Sequence, residues 1–211
     1  MKKFIQVLFS LVVVSFIISG SVIAVLNFDL LYKTNVPTIA KETGYSKETI
    51  LNNYETLISY NELTSDKKLV FPDFPMSITG EIHFEEVKVI FNRFEQTMII
   101  TGVIFLVGVV LMIRKKLYHW LFYTGILCIG IPTLLGIFVF LDWNRAFVLF
   151  HELAFNNSYW LFNPTTDPII TILPDTFFLQ CALLILACVL GAGFLCFFLH
   201  KRLREYFFRS Y

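Results

Sequence analysis

The four histidines of this 211-residue chain are the side chains best suited to proton transfer near neutral pH, and their neighbours divide them into two kinds. An imidazole changes charge between about pH 5 and 8, so it can accept or donate a proton under physiological conditions. His83 and His151 lie among aromatic and aliphatic residues in polar segments, each with a glutamate nearby. His119 and His200 stand beside Lys or Arg at the ends of apolar stretches, which is typical of side chains at a membrane interface. The patterns therefore indicate His83 and His151 as candidate catalytic residues.

Other kinds of catalytic centre have little support in the sequence. All four cysteines lie in apolar stretches, so none is available as a nucleophile in a polar loop. A serine nucleophile of the G-x-S-x-G type is not present. The two histidines and neighbouring carboxylates could hold zinc, but the H-E-x-x-H spacing is missing. We expect neither a metal nor a cofactor.

Charged and aromatic residues near the two histidines could support them. Arg145 is the only Lys or Arg between positions 142 and 175, and it could pair with Glu152 or Asp142 or contact a lipid phosphate. Lys88, which follows His83 on the same predicted helix, could meet an anionic headgroup. Trp160 suits the aromatic belt of a membrane interface. These residues are candidates for substrate binding or support.

Outside the two polar segments that carry His83 and His151, most of the chain consists of apolar stretches. The sequence is 56% hydrophobic and 16% charged, whereas soluble domains carry about 25% charged residues. A hydrocarbon core of about 30 Å needs about 20 apolar residues, and the stretches 4–28, 97–113, 117–141 and 176–199 meet or approach that length. The first is interpreted as a retained helix, because its apolar run exceeds the roughly 7–15 residues of a signal peptide. The sequence thus predicts an all-α integral membrane protein with four transmembrane helices.

Positive charge predicts how the helices are oriented, because Lys and Arg concentrate on the cytoplasmic side. Nine basic residues lie in three short segments: Lys2, Lys3, Arg114, Lys115, Lys116, Lys201, Arg202, Arg204 and Arg209. Both ends and the link after the second span are therefore expected in the cytoplasm. This gives a first transmembrane helix at 1–29, an extracellular loop at 30–96, two transmembrane helices at 97–141, a second extracellular loop at 142–175, and a last helix with its tail at 176–211. His83 and His151 would then share the extracellular side.

The two outer loops are expected to form a small, mainly helical extracellular part. Ser46 is placed to cap an amphipathic helix of about four turns. Thr79 is placed to cap a second helix, which carries His83 and continues into the second span. The spacing over 142–155 puts Phe147, His151 and Phe155 on one helical face. The segment 38–50 has the spacing of a helix-turn-helix DNA reader, but it is not strongly basic, so no nucleic-acid partner is expected.

Three segments of the chain resemble the lipoprotein intramolecular transacylases, the Lit family. The first is Gly80-Glu-Ile-His83-Phe-Glu-Glu-Val-Lys88, and the second runs from Phe150-His151-Glu-Leu-Ala-Phe-Asn-Asn-Ser-Tyr-Trp160 through Leu-Phe-Asn-Pro-Thr-Thr-Asp167-Pro-Ile-Ile. Leu173-Pro174-Asp-Thr-Phe-Phe, which opens the last span, also matches. The resemblance covers essentially the whole chain, including the four spans.

The resemblance implies a reaction, a substrate and a location. Such enzymes of Gram-positive bacteria move the sn-2 acyl chain of a diacylglyceryl-modified lipoprotein to the α-amino group of its N-terminal Cys, which gives a lyso-form lipoprotein. The family's two functional histidines fall on His83 and His151, and its second segment adds Asp167 to the supporting candidates. The implied partners are the diacylated lipoprotein and membrane lipids. The protein is expected to be a monomer of the cell membrane with its site on the extracellular face.

The residues leave the chemical route and the rival functions open. One histidine could take the ammonium proton of the substrate while the other stabilises the oxyanion or protonates the leaving oxygen, or one imidazole could carry the acyl group. A non-catalytic membrane sensor or binding partner is the alternative function, and it gives no reason for paired histidines. A transporter would need ionisable groups in mid-bilayer, and the lack of a convincing one inside the predicted spans counts against transport. If the imidazoles lie more than about 10 Å apart, they cannot share a proton path.

Overall fold

Residues 2–208 are described in a computed structural model, and within them the secondary structure is helical. The elements are α1 (Lys2–Leu26), α2 (Asp29–Thr43), α3 (Lys47–Tyr60), α4 (Ile78–Arg114), α5 (His119–Leu141), α6 (Trp143–Ala154), a short 3-10 helix (Pro168–Ile172) and α7 (Asp175–Phe208). Among these, α1, α4, α5 and α7 are long and apolar enough to cross a membrane. The predicted all-α membrane architecture with four spans is therefore confirmed. Arg209, one of the basic residues used for orientation, lies outside the described residues.

The chain divides into two compact units, and each has its own core. The first, here called the span unit, comprises the chain up to Ile23, Phe94–Phe140 and the residues from Leu183 onward. The second, here called the loop unit, comprises Ala24–Arg93 and Leu141–Ala182. The helices α1, α4 and α7 each contribute residues to both units.

The span unit is built from apolar helices that leave many large side chains exposed. Leu106, Leu134 and Phe140 are 68%, 72% and 88% exposed, as expected for helices whose outer faces meet lipid rather than water. Its interior holds the ring of Phe9 in edge contact with that of Trp120, their centroids 5.0 Å apart. Aromatic pairs of this kind add about 0.5–1.5 kcal/mol to the burial of the rings.

The loop unit begins with a helical hairpin formed by α2 and α3. Gly44 ends α2 at a φ of 77°, a left-handed conformation that favours glycine. The Ser46 hydroxyl then accepts a hydrogen bond from the Thr49 N–H at 3.0 Å, which confirms Ser46 as the N-cap of α3. The rings of Tyr32 and Tyr54 stack between the two helices at 3.5 Å.

The amino-terminal end of α4 differs from the sequence prediction by two residues. We expected Thr79 to cap this helix, which was wrong: α4 begins at Ile78, and the Ser77 hydroxyl accepts a hydrogen bond from the Gly80 N–H at 3.0 Å. Since a cap must precede the first turn, Thr79 is already inside the helix. The helix then runs unbroken over 37 residues into the apolar stretch 97–113, as predicted.

Candidate active site

His83 lies in the second turn of α4, well before the apolar stretch of that helix, and is enclosed by aromatic rings. Its side chain is 5% exposed. Phe155 and Phe162 meet the imidazole edge to face, with centroids 4.7 and 5.3 Å from it. Within residues 2–208, the buried Nδ1 of His83 has no hydrogen-bond partner. A buried polar atom of this kind is costly unless something else binds it.

His151 lies in the last turn of α6, where the backbone fixes its tautomer. Its Nδ1 is 2.7 Å from the carbonyl oxygen of Phe147, one turn earlier. Because a carbonyl oxygen can only accept, Nδ1 carries the proton, and in the neutral ring the lone pair is on Nε2. The ring of Phe147 is 4.2 Å and that of Trp160 is 4.7 Å from the imidazole, centroid to centroid. His151 is thus held as a neutral base with a defined free nitrogen.

The two imidazoles lie close together. Their ring centroids are 6.2 Å apart and their planes differ by 30°. This separation is well within the distance of about 10 Å that a shared proton path allows. Phe155 contacts both rings, at 4.7 Å from His83 and 5.8 Å from His151. A single small reacting group could therefore approach both histidines, within an apolar surrounding.

Burial keeps both histidines neutral at physiological pH. It lowers the pKa of His83 to about 4, and the positive form of nearby His151 lowers it further. Burial also lowers the pKa of His151 below its usual 6.5, although the hydrogen bond to the Phe147 carbonyl opposes that shift. Desolvation disfavours the charged imidazolium in each case. Of the two, His151 is the one that more readily accepts a proton.

Asp167 fixes the start of α4, which lies five residues before His83. Its carboxylate is buried, and Oδ1 accepts a hydrogen bond from the Ser77 N–H at 2.7 Å while Oδ2 accepts one from the Thr166 hydroxyl at 2.6 Å. A negative charge is favoured at a helix N-terminus. Oδ1 also occupies the place that a Cβ at Gly80 would take, so only glycine permits this approach.

Glu86 and Asn157 make a second connection between α4 and the loop after α6. The amide Nδ2 of Asn157 donates to Glu86 Oε1 at 2.8 Å. Asn157 Oδ1 accepts a hydrogen bond from the Tyr159 N–H at 3.0 Å, which forms a local turn. In the sequence this turn lies between Phe155 and Trp160, and the rings of both contact a histidine.

Of the remaining candidate residues, some lie in the site and others lie away from it. Trp160 and Asp167 lie in the site. Lys88 lies on another side of α4, where its Nζ donates to the Ser65 carbonyl and stands 4.2 Å from the centre of the Tyr60 ring. Arg145 and Glu152 are exposed on α6.

Ion pairs and metal-binding groups do not contribute to the site in the described part of the chain. Its two salt bridges join Lys33 to Asp29 and Lys68 to Glu81, so the ion pair that Arg145 could have made with Glu152 or Asp142 is not found. Groups of three or more His, Cys, Asp or Glu side chains placed to hold a metal do not occur there either.

Sequence reasoning missed Ser77, Gly80, Glu86, Asn157 and Phe162 as parts of the site. Glu86 could have been found, since it lies three residues after His83 and shares its helical face. Phe162 and Asn157 belong to an irregular loop, and no periodicity indicates where their side chains point.

Comparison with known proteins identifies the family to which the sequence and the fold are similar. The sequence profile of a family described as lipoprotein intramolecular transacylase Lit matches residues 7–178. The structure of the membrane integral lipoprotein intramolecular transacylase Lit from Bacillus cereus superposes with a TM-score of 0.94 at 33% identity, over 97% of this chain and 96% of that one. The structure of a variant of the same protein, with one histidine replaced by arginine, superposes with a TM-score of 0.89 at 32% identity. The match covers 100% of this chain and 95% of that one. The structure of another variant, with a histidine replaced by alanine, superposes with a TM-score of 0.84 at 33% identity. The match covers 97% of this chain and 94% of that one. The curated proteins contain no match.

Proposed function

Because the chain belongs to the lipoprotein intramolecular transacylase family of integral membrane acyltransferases, we propose that it moves the sn-2 acyl chain of a diacylglyceryl-modified lipoprotein to the α-amino group of that lipoprotein's N-terminal Cys. The reaction converts an ester into an amide, so it needs no ATP. Both reacting groups belong to one substrate molecule, and the enzyme mainly has to bring them together.

The observation that carries the proposal is the pair of neutral imidazoles 6.2 Å apart, of which His83 is buried and His151 partly buried. An α-amino group has a pKa of about 7.7–8, so near neutral pH it is mostly protonated and cannot attack. His151 supplies the base: Nδ1–H is held by the Phe147 carbonyl, which leaves Nε2 to accept the ammonium proton. The free amine nitrogen then attacks the carbonyl carbon of the sn-2 ester.

His83 is assigned to the charge that develops on the ester oxygen. Its low pKa keeps it neutral, so it donates a hydrogen bond to the oxyanion rather than carrying a positive charge itself. Donors of this kind contribute about 2.7–4 kcal/mol when they are fixed in advance. The aromatic rings around His83 exclude water and strengthen that interaction.

The amine loses two protons in this reaction, and the leaving group takes up one of them. When the tetrahedral intermediate collapses, the bond between the carbonyl carbon and the glycerol oxygen breaks, and that oxygen takes the proton that His151 had accepted. The second amine proton is lost to solvent as the bound ammonium becomes an amide. A route through an acyl-imidazole is the alternative, and it would give a covalent adduct on His151 that mass spectrometry of the acid-quenched protein detects.

Several residues are proposed to act through others or at the membrane surface. Trp160 orients the His151 ring by packing on it, and Asp167 fixes the helix turn that carries His83. Arg145, Glu152 and Lys88 do not contact the imidazoles. Arg145 is proposed to meet lipid phosphates instead, whereas Lys88 supports the loop unit through the Ser65 carbonyl and the Tyr60 ring.

The site is proposed to work on the extracellular face of the cell membrane, as a monomer. The support is the concentration of Lys and Arg at the amino terminus, at 114–116 and in the tail, which marks those segments as cytoplasmic. A diacylated lipoprotein presents its glycerol and its amino terminus at that surface.

A synthetic lipopeptide with different acyl chains at sn-1 and sn-2 tests the function. Purified protein in detergent should move only the sn-2 chain onto the α-amino nitrogen, and fragmentation by mass spectrometry locates each chain. A mixture of two lipopeptides with differently labelled chains should give no crossed products. Transfer of the sn-1 chain, crossed products, or simple hydrolysis would contradict the proposal.

A further inference from the structure

Glu86, which follows His83 by one helical turn, has a carboxylate with a hydrogen-bond partner among the described residues on only one of its two oxygens. Its Oε1 accepts the hydrogen bond from Asn157 Nδ2 at 2.8 Å. Its Oε2 is buried and has no hydrogen-bond partner within residues 2–208. A carboxylate oxygen taken out of water without a partner costs free energy, so a donor that reaches it is bound favourably.

Glu86 lies one helical turn after His83 and is bonded to the loop that supplies aromatic rings to the site. Residues three apart on a helix are neighbours on one face, with Cβ atoms roughly 5–6 Å apart, and Glu86 follows His83 by three. Asn157, which holds the other oxygen, lies between Phe155 and Trp160, whose rings contact the imidazoles. The Glu86 side chain as a whole is only partly buried, so a ligand can approach the carboxylate while α4 stays folded.

Cations of the protein itself are engaged or directed elsewhere. Lys88, the nearest basic residue in sequence, lies over the Tyr60 ring and donates to the Ser65 carbonyl. The two salt bridges found in the described part of the chain do not include Glu86. Both imidazoles are neutral at physiological pH and so offer no positive charge.

We infer that Glu86 binds the α-ammonium group of the N-terminal Cys of the lipoprotein, and so selects a substrate with a free amino terminus. The inference rests on the proposed function, in which this amine is the acceptor of the acyl chain. An ammonium group matches the site in charge, and its three N–H donors can bond Oε2 while one remains directed to His151. Glu86 thereby places the proton that His151 must remove.

Binding of two unreactive ligands tests the inference separately from catalysis. One ligand is a Cys lipopeptide with two ether-linked chains and a free α-amine, and the other is the same molecule N-acetylated. At pH 6.5 an amine of pKa about 7.7–8 is mostly protonated. The full-length wild-type protein should bind the free-amine ligand about tenfold more tightly or better, as a hydrogen bond between charged groups implies. In Glu86→Gln, which can still accept from Asn157, the preference should fall to about twofold or less.

Glu85→Gln is the matched control, because it removes the same charge one residue away from an exposed position of the same helix. It should keep the wild-type preference. Unchanged preference in Glu86→Gln, or equal loss in both variants, would overturn the inference. If Glu86→Gln loses affinity for both ligands, Glu86→Asp decides: retained preference supports the charge, and lost preference overturns it. Failure of the wild-type protein to acylate the reactive lipopeptide would instead count against the proposed function.

Discussion

The chain brings together two pairs of histidines at similar distances, one in each unit, and their surroundings differ. In the span unit, the rings of His119 and His200 are 5.4 Å apart, which is closer than the 6.2 Å between His83 and His151 in the loop unit. His119 is exposed, whereas His83 is 5% exposed. His200 directs its Nδ1 to the Tyr118 carbonyl at 3.1 Å, a bond that resembles the one from His151 to Phe147.

Two adjacent imidazoles do not by themselves make an acid–base centre. Lys201 and Arg202 follow His200 directly, so that pair lies in a positively charged segment. The loop-unit pair is instead enclosed by Phe155, Phe162 and Trp160. Burial among these rings keeps the imidazoles neutral and excludes water, and both conditions favour proton transfer and oxyanion binding.

Replacement of single histidines should give the largest difference in activity between the two pairs. His83→Ala and His151→Ala should each lower the rate of lipopeptide conversion about 10²–10⁴-fold, since each removes a proton-transfer or oxyanion group. His119→Ala and His200→Ala should stay close to wild type. Rates by mass spectrometry on purified, folded variants check this, and comparable losses in all four would remove the distinction between the pairs.

A substitution that disturbs the contact between Asp167 and Gly80 should give the next largest loss of activity. In Gly80→Ala the new Cβ would overlap Asp167 Oδ1 and lie 3.1 Å from Phe162 Cε1, so the start of α4 must shift. A displacement of about 1 Å can cost about 10²-fold in rate, and the thermal midpoint should fall as well. Gly130→Ala is the control, because nothing lies within 4 Å of a Cβ there. Wild-type activity in Gly80→Ala would show that His83 is not positioned through this contact.

A smaller effect is expected where a ring only orients His151. Trp160→Leu removes the indole 4.7 Å from the imidazole. An aromatic pair of this kind is worth about 0.5–1.5 kcal/mol, so kcat should fall by up to about tenfold. Tyr159→Leu, at the exposed neighbouring position, should leave kcat nearly unchanged. Equal losses in both variants would indicate that the loop, rather than the ring of Trp160, supports the site.

The local parts of this architecture follow from the sequence. Ser46 and the apolar spacing after it predicted α3 with its cap, and the i, i+4 spacing of Phe147 and His151 predicted their contact on α6. The charge-poor stretches predicted the four spans. Each of these features depends on residues within a few turns of one another, where periodicity and capping rules apply.

The remaining features depend on contacts between segments far apart in sequence. The hydrogen bond from Ser77 to Asp167 joins residues separated by 90 positions, and no local pattern indicates it. Helix α2 starts at Asp29 and includes Pro37, although proline disfavours a helix interior. Buried Tyr32 and Ile39 pack into the loop-unit core and compensate for that cost. The 3-10 helix Pro168–Ile172 was missed for the same reason, since it is fixed by burial of Ile169 and Ile172.

The pH dependence of kcat tests most directly whether a neutral, partly buried imidazole does the chemistry. His151 must be neutral to accept the proton, so activity is lost as pH falls through its pKa, and burial shifts that loss below 6.5. His83, with a pKa of about 4, stays neutral over the same interval. With saturating lipopeptide, kcat should be constant from about pH 8 to 6.5 and decline only below the usual imidazole pKa of about 6.5. A decline with an apparent pKa of 6.5 or higher, or a rate that rises on acidification, would contradict the account.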